Sequence, residues 1–178
     1  NLQRRDGLLA YAWKDGEVTD RQPATDADLD AAWALLLAAQ RFEQPRYKRE
    51  AIAIGEAILA KETTRWRGVR ALVAGPWADR REATVNPSYF SPAAYEALHA
   101  ATGNEAWREL AASSRTIVDE LTAAKPGLPP DWAALTSAGE AKPTVLPDDE
   151  AEPGFSFDAV RTQIRAAASC SAADRRLA

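Results

Sequence analysis

The sequence has few of the residue types from which metal centres and nucleophilic sites are commonly built. Its 178 residues include no methionine, one histidine and one cysteine. With His99 alone, a histidine-based metal site or a serine–histidine pair is not expected, and Cys170 has no partner for an internal disulfide. We therefore expect neither a metal nor an organic cofactor. The absence of methionine predicts that the chain starts inside a longer or processed polypeptide.

Long apolar runs and basic clusters are missing as well. No run of about 18 apolar residues is present, so no transmembrane helix is predicted, and no segment has the pattern of a signal peptide. The formal net charge is -4, and the Lys and Arg residues are scattered along the chain. We therefore expect neither a nucleic acid nor a membrane as a partner.

Helical periodicity is the main pattern that the chain does contain. Hydrophobic residues make up 46% of the sequence, and their spacing, bounded by proline and glycine, predicts five helices. The predicted helices cover residues 25–40, 46–61, 91–103, 104–123 and 156–168. Because no alternating strand pattern stands out, the fold class predicted from the residues is an all-α array.

The segments between these helices are predicted as loops. Residues 1–24 form one loop with a turn at Asp15-Gly16. Residues 62–90 are predicted as loop or short extended structure. Residues 125–154 are rich in proline, and a short helix could form at 131–137.

The first predicted helix begins with a concentration of acidic residues. Asp26, Asp28 and Asp30 fall within five positions. Thr25 is a predicted N-cap, and Asp28 would be its partner in a capping box. Asp26 lies in the first turn, where the helix dipole stabilises an ionised carboxylate that can accept from hydroxyl groups. Asp28 is also a candidate for substrate contact, whereas Asp30 is expected to be solvated.

Five short blocks of this sequence occur in the same order in a known family. They are Asp6-Gly7-Leu8-Leu9-Ala10-Tyr11-Ala12-Trp13, Ala24-Thr25-Asp26-Ala27-Asp28, Asn86-Pro87-Ser88-Tyr89-Phe90-Ser91-Pro92-Ala93-Ala94-Tyr95, Gly127-Leu128-Pro129-Pro130-Asp131-Trp132 and Phe155-Ser156-Phe157-Asp158-Ala159-Val160-Arg161. Together they resemble glycoside hydrolase family 8, which comprises inverting endoglucanases, including those that accompany bacterial cellulose synthesis.

The resemblance implies an (α/α)6 barrel, a toroid of inner and outer helices. A complete barrel needs many more residues than 178. We therefore expect residues 1–178 to be a single family 8 catalytic domain that lacks its N-terminal helices and its C-terminal part, and so forms a partial barrel.

The resemblance also implies roles for two carboxylates as catalytic residues. Inverting hydrolysis needs a general acid and a general base that activates a water. Asp158 corresponds to the family's base, in a first helical turn that suits an ionised carboxylate, with Ser156 as the expected cap. Asp26 corresponds to the carboxylate that holds the sugar in the −1 subsite. The alternative roles are a polar helix start for Asp26 and a surface ion pair between Asp158 and Arg161.

Three features near these carboxylates affect the predicted chemistry. Arg161 shares a helix face with Asp158 and could orient it or bind a sugar. Phe157 stands where the family has a tyrosine, which removes a hydroxyl that could position the water. The family's general acid is a glutamate upstream of Asp26, and no glutamate of this chain matches it. The chain by itself is therefore expected to be a poor catalyst or none.

Aromatic residues in loops are the expected lining of a glucan cleft, because sugar rings stack on them. Trp13, Trp66, Trp77 and Trp132 are predicted to lie in loops or at helix ends, where binding residues concentrate. Trp13, Trp77 and Tyr89 fall in or near the family blocks and are the substrate-binding candidates, with packing at the rim as the alternative.

The resulting prediction is an endo-acting glycoside hydrolase that cleaves β-1,4-glucan with inversion. The resemblance adds a secreted or periplasmic location and an association with a bacterial cellulose synthesis system. Two alternatives stay open: a catalytically inactive glucan-binding relative, and a helical-array interaction module without a sugar role. Xylan and chitosan are also substrates in the family, and the sequence does not choose among them.

Overall fold

The computed structural model describes residues 2–123, 127–146 and 152–177. The helices in this part of the chain are α1 (Thr25–Arg41), α2 (Pro45–Lys61), α3 (Pro92–Thr102), α4 (Ala106–Ala123), α5 (Phe157–Ala167) and α6 (Ala172–Arg175). All five predicted helices are confirmed as α1 to α5, with small shifts at their ends. The short helix α6 was not predicted. The parts of the predicted loop at 125–126 and 147–151 lie outside the described residues.

The prediction of an all-α array is wrong in one respect, because short strands connect the helices. They are β1 (Ala12–Lys14), β2 (Glu17–Asp20), β3 (Thr63–Trp66), β4 (Val69–Leu72), β5 (Ala83–Val85), β6 (Ala133–Leu135) and β7 (Ala141–Pro143). They form the antiparallel sheets β1–β2, β3–β4 and β5–β6–β7. Strands of three or four residues are too short to show a period of two. Strand β6 replaces the helix expected at 131–137, and Trp66, expected in a loop, is buried in β3.

Two of these sheets are hairpins closed by tight turns. The turn predicted at Asp15-Gly16 is confirmed, with φ of 52° and 91°. The β3–β4 hairpin turns in the same way at Arg67-Gly68, with φ of 52° and 80°. Positive φ at both central residues gives the turn a twist that matches the flanking strands.

The core lies between the helices and is closed by large side chains. Trp107 of α4 is 1% exposed and stacks on Tyr95 of α3, with ring centroids 6.3 Å apart. Helix α2 approaches them closely at Gly55, where an added Cβ would lie 3.1 Å from both Leu98 Cδ2 and Trp107 Cζ2. Glycine at this position therefore lets three helices share one core.

The start of α1 is held by tertiary contacts instead of the predicted capping box. Ala24 is the N-cap residue and Thr25 is already helical. The Thr25 hydroxyl donates to the Val73 carbonyl over 2.7 Å, and the Thr25 N–H donates to the Ala74 carbonyl over 3.2 Å. The capping prediction was wrong because the residues after β4 supply partners that local sequence does not show.

Across the described residues, the helices are either too short or too polar to span a lipid bilayer.

Candidate active site

Two helix starts meet at one point of the fold, and each contributes an acidic side chain. Asp26 lies in the first turn of α1 and Asp158 in the first turn of α5. Arg161 connects them, because its Nη1 lies 3.0 Å from Asp26 Oδ2 and its Nη2 lies 3.1 Å from Asp158 Oδ1. The planar guanidinium is always charged and can hold both carboxylates at once. Three predicted site residues are therefore in direct contact.

A second ion pair repeats this contact one turn further along both helices. Arg165 Nη1 and Nη2 each lie 2.7 Å from an oxygen of Asp30. Residues four positions apart share a helix face. One face of α5 therefore pairs two arginines with two aspartates on one face of α1, Arg161 with Asp26 and Arg165 with Asp30. Asp30, predicted to be solvated, is half-exposed and joins the two helices that carry Asp26 and Asp158.

Asn86 and Ser88 complete this network, and the sequence analysis did not assign them a role. Asn86 Nδ2 donates to Asp158 Oδ2 over 2.7 Å. Its Oδ1 accepts from the N–H and the hydroxyl of Ser88, which orients the amide with Nδ2 towards Asp158. Ser88 Oγ accepts from Arg161 Nε and Nη2 over 3.1 and 2.8 Å. The Asn-Pro-Ser order is an Asx-turn signal that could have indicated this arrangement.

Asp131, from the block at residues 127–132, binds main-chain N–H groups at the start of α5. Asp131 Oδ1 accepts from the N–H groups of Ser156 and Ala159, both over 2.9 Å. Ser156, the predicted cap, makes no capping bond with its own side chain. A carboxylate from a distant segment therefore satisfies the free N–H groups of the first turn, and this turn carries Asp158.

Both carboxylates of the site remain accessible. The side chains of Asp26 and Asp158 are 17% and 31% exposed. An ionised carboxyl group has about four lone-pair sites, and Asp158 uses two of them on Asn86 and Arg161. The remaining sites can accept from a water molecule, which is the geometry that a general base requires. Asp26 can accept from a sugar hydroxyl.

A cavity of about 400 Å³ with an aromatic wall lies next to these carboxylates. The Trp132 ring centroid lies 6.3 Å from that of Trp77 and 6.0 Å from that of Tyr89. Tyr89 joins the cavity to the charged residues, because Arg161 Cζ lies 5.3 Å from its ring centroid. Burial raises the pKa of Tyr89, so its hydroxyl stays protonated and can donate.

Gly75 allows Trp77 to reach this wall. Its backbone is extended, and an added Cβ would lie 2.5 Å from Trp77 Nε1 and 2.8 Å from the Pro23 carbonyl oxygen. A larger residue would displace either the indole or the main chain.

The other predicted site residues lie outside this contact network. Trp13 is on β1 and is 48% exposed, while Tyr11 lines the cavity. Asp28 has no exposed surface, and its Oδ1 accepts from the Leu9 N–H over 2.7 Å. The predicted substrate contact of Asp28 is therefore corrected, since a fully buried carboxyl cannot reach a sugar. Phe157 is 93% exposed.

A cavity of about 400 Å³ also lies between α3 and α4, where Tyr95, His99 and Trp107 are among its lining residues. Within residues 2–123, 127–146 and 152–177, His, Cys, Asp and Glu side chains form no group of three suited to a metal ion.

A cleft that combines paired carboxylates with aromatic side chains is the kind of site that glycoside hydrolases use. The model of the glycosyl hydrolases family 8 matches residues 1–176, and this chain belongs to that family. An endoglucanase of Cellulomonas uda is 33% identical over 146 residues, which cover 81% of this chain and 40% of that protein.

Solved structures of the family are similar to this fold. A GH8 endo-β-1,4-glucanase from an Achatina fulica gut metagenomic library has a TM-score of 0.84 at 29% identity, over 97% of this chain and 56% of that one. An endo-β-1,4-glucanase from Acetobacter xylinum has a TM-score of 0.80 at 27% identity, over 93% of this chain and 53% of that one. The chain thus spans about half the length of the relatives it matches.

Proposed function

We propose that this chain contributes the base side of the active site of an inverting endo-β-1,4-glucanase. The observation that carries the proposal is the single guanidinium of Arg161, which holds Asp26 and Asp158 together beside an aromatic cavity. The endoglucanase names of the similar proteins support a β-1,4-glucan as the substrate.

In the proposed mechanism, Asp158 accepts a proton from a water that attacks the anomeric carbon. Asp26 accepts hydrogen bonds from hydroxyls of the sugar that carries this carbon. Arg161 and Asn86 keep the Asp158 carboxylate fixed, which lowers the cost of ordering it in the transition state. Trp77 stacks against a neighbouring sugar ring. The proton for the leaving oxygen comes from a general acid, which we do not assign to a residue of this chain.

The barrel and the cellular context belong to the same proposal. Similarity over nearly the whole chain to about half of each solved relative supports a partial (α/α)6 barrel. A secreted or periplasmic location, a part in cellulose degradation and an association with a cellulose synthesis system rest on the family resemblance alone. Fractionation of source cells with an antibody to this chain would test the location.

A glucan-binding protein without hydrolytic activity is the second candidate. Phe157 in place of the family's tyrosine and the unassigned general acid favour it. It differs from the first candidate in one measurable way. A competent base side hydrolyses β-cellobiosyl fluoride, whose leaving group needs no general acid, whereas the inactive relative binds cellohexaose and hydrolyses no substrate.

One experiment separates these candidates. The chain is incubated with carboxymethylcellulose, with cellohexaose and with β-cellobiosyl fluoride. New reducing ends and released fluoride are measured, and cellohexaose binding is followed by calorimetry. Asp158→Asn is expected to lower any hydrolysis about 100- to 10,000-fold, the usual contribution of general base catalysis, and Asp26→Ala is expected to abolish binding. Binding without hydrolysis of any of the three substrates identifies the glucan-binding protein, and the absence of both binding and hydrolysis overturns the proposal.

A further inference from the structure

Two carboxyl groups are buried together behind the candidate site. Glu62, the residue that follows α2, and Asp28 of α1 are both 0% exposed. Their carboxyl groups interact with each other in the interior. Neither group lines the aromatic cavity. Burying an ionised carboxylate is costly unless donors or cations compensate for the lost water.

The donors around this pair do not suffice for two ionised groups. Asp28 Oδ1 accepts from the Leu9 N–H, but Asp28 Oδ2 and both side-chain oxygens of Glu62 receive no hydrogen from another described residue. The Thr25 hydroxyl lies against Glu62, yet its hydrogen is already donated to the Val73 carbonyl. One proton between the two carboxyl groups would pair Asp28 Oδ2 with one of the Glu62 oxygens.

The charges that face the pair favour the same state. From the N-terminal segment, Arg4 and Asp6 act on it, and from α1, Asp26 does so. Arg4 donates to both oxygens of Asp6 over 3.0 and 2.8 Å, and Lys61 of α2 donates to Asp6 over 3.0 Å. Because Arg4 and Lys61 are paired with Asp6, they compensate little of the negative charge on Asp28 and Glu62.

The pair also connects the segments that hold the first turn of α1. Asp28 binds the main chain at Leu9, and the Glu62 main-chain carbonyl accepts from the Val73 N–H over 2.9 Å. Val73 in turn accepts from Thr25, the first residue of α1. Asp26 follows Thr25 in α1, so these contacts also fix the position of the Asp26 carboxylate in the candidate site.

We propose that Asp28 and Glu62 share one proton and, as a hydrogen-bonded acid pair, act as positioning residues that hold the first turn of α1 and thereby Asp26. This role rests on the proposed function only in so far as Asp26 contacts sugar. Loss of the proton places two negative charges in contact in the interior and displaces this turn.

The pH dependence has a definite sign. Burial raises the pKa of both carboxyl groups, and for Glu62 the charge of Asp28 adds to this effect. The folded chain therefore keeps a proton that the unfolded chain releases above about pH 4.5. The contribution of the pair to folding stability is fully present below this pH and falls as pH rises, until the folded pair also loses its proton.

The test compares Glu62→Gln, which keeps a hydrogen-bond donor but has no proton to lose, with Glu56→Gln at an exposed position of α2. Folding equilibrium constants are measured by urea unfolding from pH 5 to 8. The ratio of the parent constant to that of Glu62→Gln is expected to fall by up to tenfold per pH unit, because one proton is linked to folding. A ratio that is independent of pH, as expected for Glu56→Gln, overturns the shared proton.

The positioning role has its own readout. The Ala27 N–H donates to Asp26 Oδ1 over 2.9 Å, so its amide resonance reports on this carboxylate. In the parent this resonance is expected to shift at the pH where the pair loses its proton, and the shift is expected to vanish in Glu62→Gln. An identical titration in both proteins overturns the positioning role.

If Glu62→Gln does not fold, carbon-13 titration of the side-chain carboxyls in the unchanged chain decides the matter. One carboxyl of the pair that stays protonated above pH 6 supports the proposal, and two ionised groups at pH 5 overturn it. Cellohexaose binding is measured separately, so failure of the proposed function is distinguishable from failure of the acid pair.

Discussion

Arg161 determines the geometry of the candidate site more than either carboxylate does. It contacts Asp26, Asp158 and Ser88, and it lies over the ring of Tyr89. Together these contacts use Nε, Nη1, Nη2 and the face of one planar group, so they restrict its rotation. A lysine could supply the charge but not this set of directions.

Ser88 is the residue whose removal tests this network most directly. In Ser88→Ala, Arg161 loses an acceptor and Asn86 Oδ1 loses one of its two donors. We expect a loss of about 1–3 kcal/mol in unfolding free energy, the cost of unpaired buried polar groups, together with weaker cellohexaose binding. Urea unfolding and calorimetry measure the two effects.

The control for this change is Ser137→Ala, at an exposed serine. It is expected to leave both quantities unchanged. Equal effects of the two substitutions would show that the buried network does not hold Arg161.

At the scale of elements, α5 is held at its start by a residue far away in sequence. Asp131 accepts from the main-chain N–H groups of Ser156 and Ala159. We expect Asp131→Ala to lower the unfolding free energy by about 0.5–2 kcal/mol, the usual cost of losing a helix cap. Amide exchange in the first turn of α5 should increase. Asp119→Ala, at an exposed position of α4, is the control, and equal exchange in both variants would contradict a capping role.

The contact between α1 and α5 predicts energetic coupling between two surface residues. Asp30 and Arg165 form two hydrogen bonds, and the Arg165 side chain is 12% exposed. A double-mutant cycle with Asp30→Ala and Arg165→Ala is expected to give a coupling of about 0.5–1 kcal/mol, at the upper end for a partly exposed pair. Additive effects within about 0.3 kcal/mol would mean that the pair does not join the helices.

At the scale of the whole molecule, α5 presents an apolar face that the described residues do not cover. Phe157, Val160 and Ile164 lie at helical spacing and are 93%, 48% and 65% exposed. Contiguous apolar surface of this kind favours association. We expect the isolated chain to self-associate at micromolar concentrations, and the double substitution Phe157→Ser with Ile164→Ser to shift it towards the monomer.

Light scattering after size exclusion, at several concentrations, measures this association. Leu37→Ser, at a half-exposed position of α1, serves as the control. A parent chain that is monomeric throughout and melts cooperatively would contradict the prediction and would count against a partial barrel.

The sequence by itself determined the helices and the family. Their apolar periodicity and the proline and glycine at their ends act over a few residues, so α1 to α5 were predictable. The turn at Asp15-Gly16 was predictable for the same reason. The order of five short blocks indicated the family and, through it, Asp26, Asp158 and Arg161 as candidates.

Only the tertiary structure decided which partners these residues have. Thr25 was predicted as a cap but donates to Val73, and Ser156 is replaced as a cap by Asp131. Asp28 was predicted to complete a capping box or to contact substrate, and it is buried beside Glu62. Each of these contacts joins segments far apart in the chain, and the free energy of burying or pairing a polar group depends on what surrounds it in space. The residues next to each group in the sequence do not show which distant residues lie near it in the fold, so these contacts could not be predicted from the sequence.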